Sequence, residues 1–286
     1  MILNKILFAL FFREFWYTGV SLNETNKGEL MPDKLFNLDD YFKRIDYNGG
    51  RQVLAETLKQ LHLGHVMNIP FENLDVFARK NISLDLDDLF VKIVKNHRGG
   101  YCFEMNTLFA AVLTELGFPV TRHLARVYRE GFDNSGKTHM VLLVQAGGQQ
   151  WLCDVGFGGN SLAAPLLFEE GQEQEQLGRI HRVIADPDYG YRVEFKTATG
   201  FEPIYAFTLE DCCPADYLIA NHYTATFPES FFRQAQMCAL VTATGKITYF
   251  DGSLKIADGE TLTETTISGD AAIKDALKSY FGVELS

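Results

Sequence analysis

The stretch NHRGGYCFEMNTLFAAVLTELGFP, residues 96–119, sets a cysteine just behind two glycines and just ahead of a strongly apolar run. Met105, Leu108, Phe109, Val112, Leu113 and Leu116 recur at i, i+3, i+4, i+7, i+8 and i+11, the stripe of a helix that buries one face. Gly117 supplies a C-terminal stop, and Pro119 lies just beyond it. Cys102 therefore falls at or just before the first helical turn. There the unpaired N–H groups and the helix dipole favour an anion, the state in which a thiol is a nucleophile. Gly99 and Gly100 permit a sharp backbone turn and close approach to a ligand. A lone cysteine ordinarily reads as a small core residue. That reading accounts for neither the glycines nor the helix start; a nucleophile accounts for both.

Outward from this segment, residues 37–116 are mostly helical in pattern. Asn37 or Asp39 can cap LDDYFKRIDY, and residues 51–69 carry Val53, Leu54, Leu58 and Leu61 at helical spacing until Pro70. Residues 83–96, SLDLDDLFVKIVKN, make a further short helix. From Pro119 the period changes to two. VTRHLARVYRE, THMVLLV, QQWLCDVGF, HRVIAD and YRVEFKT read as short strands of an antiparallel sheet or barrel. EEGQEQEQLGR, residues 169–179, reads as a solvated loop. The remainder mixes the helix DCCPADYLIANHY, strands within MCALVTATGKITYFDGSLKIADG turning at ATGK and FDGS, and a last helix, AAIKDALKSYFG. The fold class is α+β.

With 286 residues the chain can bury a substantial core and divide into two or three small domains. Its formal net charge of -11, with no basic cluster in the sequence, argues against nucleic acid or an anionic membrane as the main partner. An anionic small molecule stays open, since it needs only a local pocket of donors. The five cysteines (Cys102, Cys153, Cys212, Cys213 and Cys238) are odd in number and include no CxxC pair, so a reducing cytoplasm is the simpler setting. Cys212 and Cys213 read as two small residues before Pro214. His62 and His65 stand three apart on a helix, but further ligands at zinc spacing are lacking, so no metal is expected. The apolar run of residues 6–12 is short, is followed by Arg13 and Glu14, and has no small-residue cleavage site. Residues 1–30 are expected to be an extension outside the fold, with Met31 the functional start.

A nucleophilic cysteine needs a base. His139 opens one strand, and Asp154 lies in the second half of the next. If Ala146-Gly147 forms the turn between them, the two residues face each other across the hairpin, close enough for a carboxylate to orient an imidazole. A two-residue shift of register would leave them on one face; a one-residue slip would separate them. Cys102, His139 and Asp154 thus make a candidate catalytic triad. Papain-like proteases and transglutaminases present the same order, so the triad specifies acyl chemistry without a substrate. A cysteine hydrolase or transglutaminase-like acyl transferase is the alternative on these grounds.

RGGYCFEMN, residues 98–106, resembles the RGGxCxE active-site signature of the arylamine N-acetyltransferases. HVMNIPFENLD, residues 65–75, is similar to that family's HxxxIPFENL segment. THMVLLV, CDVGFGG and ANHYTATFPESFF resemble its histidine strand, its aspartate-glycine segment and its downstream N-x4-T-x-P-x-S-x-F box. The resemblance covers about residues 35–282, and five blocks in the right order are far more specific than the triad alone.

That resemblance implies a helical bundle over 31–117 carrying the nucleophile, an antiparallel β-barrel over 118–208 carrying the histidine and aspartate, and an α/β lid over 209–286. It implies ping-pong acetyl transfer from acetyl-CoA to a small aromatic amine or hydrazine through Cys102, without a metal, in a setting of xenobiotic metabolism. It further implies that Phe157 and Phe71 line the acceptor pocket, that Gly156 and Gly158 let backbone approach the pantetheine, and that Thr226 and Ser230 border the CoA cleft. Arg98 and Glu72 read as a partly buried ion pair that holds the RGG turn to the PFEN segment. The physiological acceptor, the preference among acyl donors and the oligomeric state stay open.

Overall fold

Asn37 starts the first helix of the computed structural model, which describes residues 35–285. The expectation for residues 1–30 lies outside those residues. The Asn37 side chain accepts the N–H groups of Asp39 and Asp40 (2.9 and 3.1 Å) at the head of α1 (Leu38–Arg44). Helix α2 (Ala55–Asn68) begins later than its apolar pattern suggested. Val53 and Leu54 precede it and are exposed, whereas Leu58 and Leu61 are fully buried. After Pro70 the chain is extended as β1 (Phe71–Glu72), so the N-terminal stretch is not purely helical. Two short helices follow, α3 (Leu74–Phe77) and α4 (Leu86–Phe90), the latter continued by a π-helical turn over Val91–Lys95.

Helix α5 (Cys102–Glu115) buries the expected stripe: Leu108, Phe109, Val112 and Leu113 have no exposed surface. Its first turn is capped by its own Glu104, whose carboxylate accepts the N–H of Tyr101 (3.1 Å) and pairs with Lys92 (2.7 Å). Gly117, with φ +91, ends the helix in a conformation that favours glycine. Phe109, Leu113 and their neighbours form one core with Leu58, Phe90 and the barrel residues Leu142 and Val144.

An all-antiparallel eight-stranded sheet comes next: β2 (Val120–Val127), β3 (Lys137–Ala146), β4 (Gln149–Cys153), β5 (Leu166–Leu167), β6 (Gln174–Gln176), β7 (Arg179–Asp186), β8 (Gly190–Thr197) and β9 (Gly200–Phe207). The spatial order is β5-β4-β3-β2-β9-β8-β7-β6. Its two edge strands are stitched by side chains, which nearly closes the sheet into a barrel. Gln174 bonds both the N–H and the C=O of Leu167 (2.7 and 2.9 Å), and Gln176 accepts from Ala163 and Ala164 while donating to the Ala164 carbonyl. The polar segment 169–179 is therefore not a solvated loop throughout. Its glutamines replace the ladder bonds that a closing pair of strands would make. Strand β9 is unforeseen because Pro203 lacks an N–H; the structure accommodates it at a register shift, with Pro203 opposite Glu194.

The C-terminal part holds α6 (Pro214–Thr226), α7 (Phe231–Gln234), the strands β10 (Met237–Thr242), β11 (Gly245–Phe250), β12 (Ser253–Asp258) and β13 (Thr261–Thr266), and α8 (Asp270–Phe281). The tips at Ala243-Thr244 and Asp251-Gly252 agree with the expected turns. Strand β13, TLTETT, is exposed along its whole length and so shows no apolar alternation. The sheet order is β1-β10-β11-β12-β13, so Phe71 and Glu72 tie the segment before the nucleophile to the C-terminal sheet. Leu277, Phe281 and Val283 close its core against Leu74, Tyr249 and Leu254.

Candidate active site

The β3–β4 hairpin turns on Gly147-Gly148, both with positive φ (61 and 77), and Ala146 pairs with Gln149. The expected Ala146-Gly147 tip is thus displaced. A two-residue turn with left-handed backbone at both central positions suits two glycines and disfavours alanine. The register moves by two residues, so His139 and Asp154 do not stand directly opposite but keep a common face. They still meet: His139 Nε2 lies 2.7 Å from Asp154 Oδ2, with both residues buried.

Asp154 is held from three further directions. Asn106 Nδ2 donates to Oδ1 (3.0 Å), the N–H of Gly156 donates to the same oxygen (2.9 Å), and the Asp154 N–H donates to His62 Nε2 (3.3 Å). Burial alone would raise this carboxyl, but His139, Asn106 and the Gly156 N–H together outweigh it and the net shift is downward. Burial likewise opposes a charged His139. The Asp154 carboxylate, followed by Cys102, prevails and pushes His139 up to about 10. With Nε2 on Asp154, Nδ1 is the ring nitrogen left for Cys102. Burial lowers His62 to about 4, so it is a neutral acceptor in the core.

Cys102 is buried at the first position of α5, with its thiol 3.8 Å from the Thr138 carbonyl. The glycines around it are explained by space. A Cβ on Gly99 would lie 1.8 Å from the Pro70 carbonyl oxygen, and one on Gly156 would lie 2.7 Å from Cys102 Cα. Gly100 bridges to Phe71, and its carbonyl accepts the N–H of Glu72 (2.9 Å). Arg98 donates through Nε (2.9 Å) and its terminal nitrogen (2.7 Å) to the fully buried Glu72 carboxylate, and Asp75 lies 3.3 Å from the same guanidinium. Lys92 joins Asp75 to Glu104 (2.9 and 2.7 Å). Burial resists ionised Asp75, but Lys92 and Arg98 bring it down to about 2.

A cavity of about 520 Å³ opens on Cys102 and His139, with Phe71, Phe157, Phe231 and Phe232 among its walls and Gly156 and Gly158 at one side. Its volume suits a small organic ligand. Phe157 stands edge-on to His139 at 5.2 Å. Gly158 has φ +87 and brings its backbone against the Phe71 ring. Thr226 and Ser230 are not part of that lining. Their hydroxyls donate to the carbonyls of His222 (2.7 Å) and Thr224 (2.6 Å). Tyr101 and Phe103, on either side of the nucleophile, are fully buried, and the Tyr101 hydroxyl bonds Asn221 of α6.

Sequence reasoning missed Asn106, Tyr205 and the orientation of His62. Asn106 stands four residues after Cys102 on one helix face, a spacing that could have found it. Tyr205, 5.0 Å from the His139 ring, lies on the unforeseen strand β9. Among the described residues, no group of three or more His, Cys, Asp or Glu is disposed to hold a metal, and no helix is long and apolar enough to cross a membrane.

Residues 55–286 match a family model described as N-acetyltransferase. The chain is 34% identical over 249 residues to the arylamine N-acetyltransferase of Escherichia coli (strain K12), covering 86% of this chain and 88% of that protein. It is 31% identical over 255 residues to that of Mycolicibacterium smegmatis, covering 87% and 92%. Among solved structures, it is similar to the arylamine N-acetyltransferase from Salmonella typhimurium (TM-score 0.81, 30% identity, 86% and 90% covered). It is equally similar to that of Mycobacterium marinum in complex with CoA (TM-score 0.81, 30% identity, 86% and 92% covered).

Proposed function

Because the chain belongs to the arylamine N-acetyltransferase family, we propose that Cys102, His139 and Asp154 act as a catalytic triad that carries acetyl by a ping-pong route. The donor is acetyl-CoA and the acceptor a small aromatic amine or hydrazine. The observation that carries this reading is the 2.7 Å contact between His139 and Asp154, with Cys102 acting on the same imidazole. Family membership also sets acetyl transfer above a cysteine hydrolase or a transglutaminase-like enzyme built on the same three residues.

His139 takes the proton of the Cys102 thiol, and Asp154 stabilises the imidazolium that forms. The sulfur adds to the thioester carbonyl of acetyl-CoA, the bond from carbonyl carbon to CoA sulfur breaks, and the departing thiolate takes the His139 proton. CoA leaves as a free thiol, and acetyl-Cys102 remains beside neutral imidazole. The acceptor nitrogen then adds to the acetyl carbonyl while His139 takes its proton. Breaking the bond to Cys102 releases the amide and restores thiolate and imidazolium. Phe71 and Phe157 bind the flat ring of the acceptor, and Gly156 and Gly158 leave room for the pantetheine arm. Arg98 and Glu72 position the nucleophile turn and take no chemical part. Divisions near residues 117 and 208 would separate the segment with the nucleophile from that with its base, and that from the lid. The five free cysteines suit a cytoplasmic setting.

Intact-mass measurement after incubation with acetyl-CoA tests the reading. One acetyl adduct is expected on the wild type and none on Cys102→Ser, with the adduct discharged by an added arylamine. An adduct that persists in Cys102→Ser, or that arylamine does not discharge, contradicts it.

A further inference from the structure

The second glycine before the nucleophile is explained by a carboxylate. A Cβ on Gly100 would lie 2.9 Å from both Cβ and Oε2 of Glu104, so the Glu104 side chain folds back over the peptide that leads into Cys102. Its Oε2 accepts the Tyr101 N–H (3.1 Å), and its Oε1 accepts from Lys92 Nζ (2.7 Å). Glu104 is 2% exposed, and burial pushes its carboxyl up. Among the described residues, Lys92 is the one cation within ion-pair distance of it. The same lysine pairs with Asp75 (2.9 Å), which Arg98 and, from the solvent side, Lys80 also reach (3.3 and 3.2 Å). Lys92 lies in the π-helical turn, and its carbonyl accepts the Arg98 N–H (3.1 Å). Such turns recur at functional sites. A carboxylate in the first turn of a helix ordinarily gains from the dipole. Here it competes, because the same amides and dipole favour a sulfur anion at Cys102, two positions earlier.

We propose that Lys92 is a positioning residue for the Cys102 chemistry: it cancels the Glu104 charge across the first turn of α5, so that the sulfur anion forms without a like charge beside it. The proposal rests on the reading of Cys102 as the acetyl carrier and names the residue that prepares it. Like charges interact far more strongly inside a protein than in water. Without Lys92, ionised Glu104 and ionised Cys102 oppose each other, and each holds its proton to higher pH. Arg98 does not substitute, since it is committed to Glu72 and Asp75. The other titratable groups facing this turn are His139 and Asp154 on the barrel side, Glu72 and Asp75 beside the RGG segment, and Tyr101 itself. His139 is engaged by Asp154 and Cys102, and none of the rest is a cation. Glu72 adds to the negative surroundings of Glu104, which makes Lys92 the more necessary.

The test is the pH dependence of Cys102 alkylation by iodoacetamide on the full chain, read by peptide mass because Cys213 is exposed as well. The thiolate is the form that displaces iodide, so the midpoint reports its formation. Wild type, Lys92→Met, Lys92→Arg, Glu104→Gln and the double variant Lys92→Met with Glu104→Gln are compared, with thermal melts as a check on folding. The midpoint should rise by about one pH unit in Lys92→Met, the order expected of one like charge across a helical turn. It should fall in Glu104→Gln, which keeps an acceptor for the Tyr101 N–H and leaves Lys92 its Asp75 partner. The double variant should return close to wild type, and Lys92→Arg should stay there. A lysine that only stabilises the fold would lower the melting temperature and leave every midpoint in place, and that result overturns the proposal. So does a shift of the same sign in Lys92→Met and Glu104→Gln. Where Lys92→Met does not fold, Glu104→Gln decides, and an unmoved midpoint there overturns the proposal too. The acetyl adduct separates the two layers: a wild type without it defeats the acetyl-transfer reading, while a normal adduct with unmoved midpoints defeats the role of Lys92 alone.

Discussion

Asn106 Nδ2 lies 3.0 Å from Asp154 Oδ1, and Asn106 Oδ1 accepts the N–H of Val155, so one amide from the nucleophile helix clamps the turn after β4. The aspartate is fully buried, and its ionised form depends on every donor it has. Asn106→Ala removes one of these donors and leaves the Val155 N–H and the Met140 carbonyl without its amide. It should cost about 1–3 kcal/mol in stability and slow acetylation of Cys102, because Asp154 holds His139 less firmly. Urea unfolding and single-turnover mass measurements with acetyl-CoA check both halves. Full-rate acetylation in a destabilised variant would limit Asn106 to a packing role.

The RGG turn fits against Pro70 with no space for a side chain at Gly99. Gly99→Ala must therefore move the backbone that carries Cys102, and should lower both soluble yield and activity. Arg98→Ala strands the Glu72 carboxylate, which is wholly buried, and should destabilise the protein on the order of 3–5 kcal/mol. Thermal denaturation of the two variants is the measurement. An equally stable and active Arg98→Ala would remove the proposed positioning role of the pair.

Much of this arrangement is legible from spacing because it is local. The α5 stripe, the Asn37 cap and the alternation of β3 each depend on a few neighbouring residues. The His139–Asp154 register was less secure, since it hung on which two of Ala146, Gly147 and Gly148 formed the tip; positive φ at both tip positions decides for the glycines. What escaped depends on distant partners. Gln174 and Gln176 look solvated until β5 lies beside them, and Pro203 argues against a strand until a bulge accommodates it. No short-range pattern reports such pairings.

Burial disfavours a charged His139, yet Asp154 and Cys102 push it up to about 10, against about 6.5 in an unfolded chain. The folded protein therefore binds this proton more tightly than the unfolded chain does. The stability it contributes is complete below the unfolded value and is lost as pH rises through the folded one. Urea unfolding of wild type and His139→Gln across that window should show the wild-type advantage shrinking as pH increases. An advantage that is flat or growing would rule out a buried imidazolium.

The two sides of the proposed donor cleft respond differently to small substitutions. Thr226 and Ser230 turn their hydroxyls to carbonyls of their own segment, so removing either hydroxyl takes nothing from the cavity that holds Cys102. Thr226→Ala and Ser230→Ala should change the KM for acetyl-CoA by no more than the equivalent of about 0.5 kcal/mol. Gly158 is the opposite case. Its φ of +87 is strained for any L side chain, and a Cβ there would sit 3.0 Å from the Phe71 ring. Gly158→Val should therefore push Phe71 into the cavity, raising the KM for donor and acceptor together while leaving the His139–Asp154 contact in place. Steady-state kinetics with both substrates varied distinguish the cases. A large rise for acetyl-CoA in Ser230→Ala with little change in Gly158→Val would return the donor to the downstream box and away from the glycine wall.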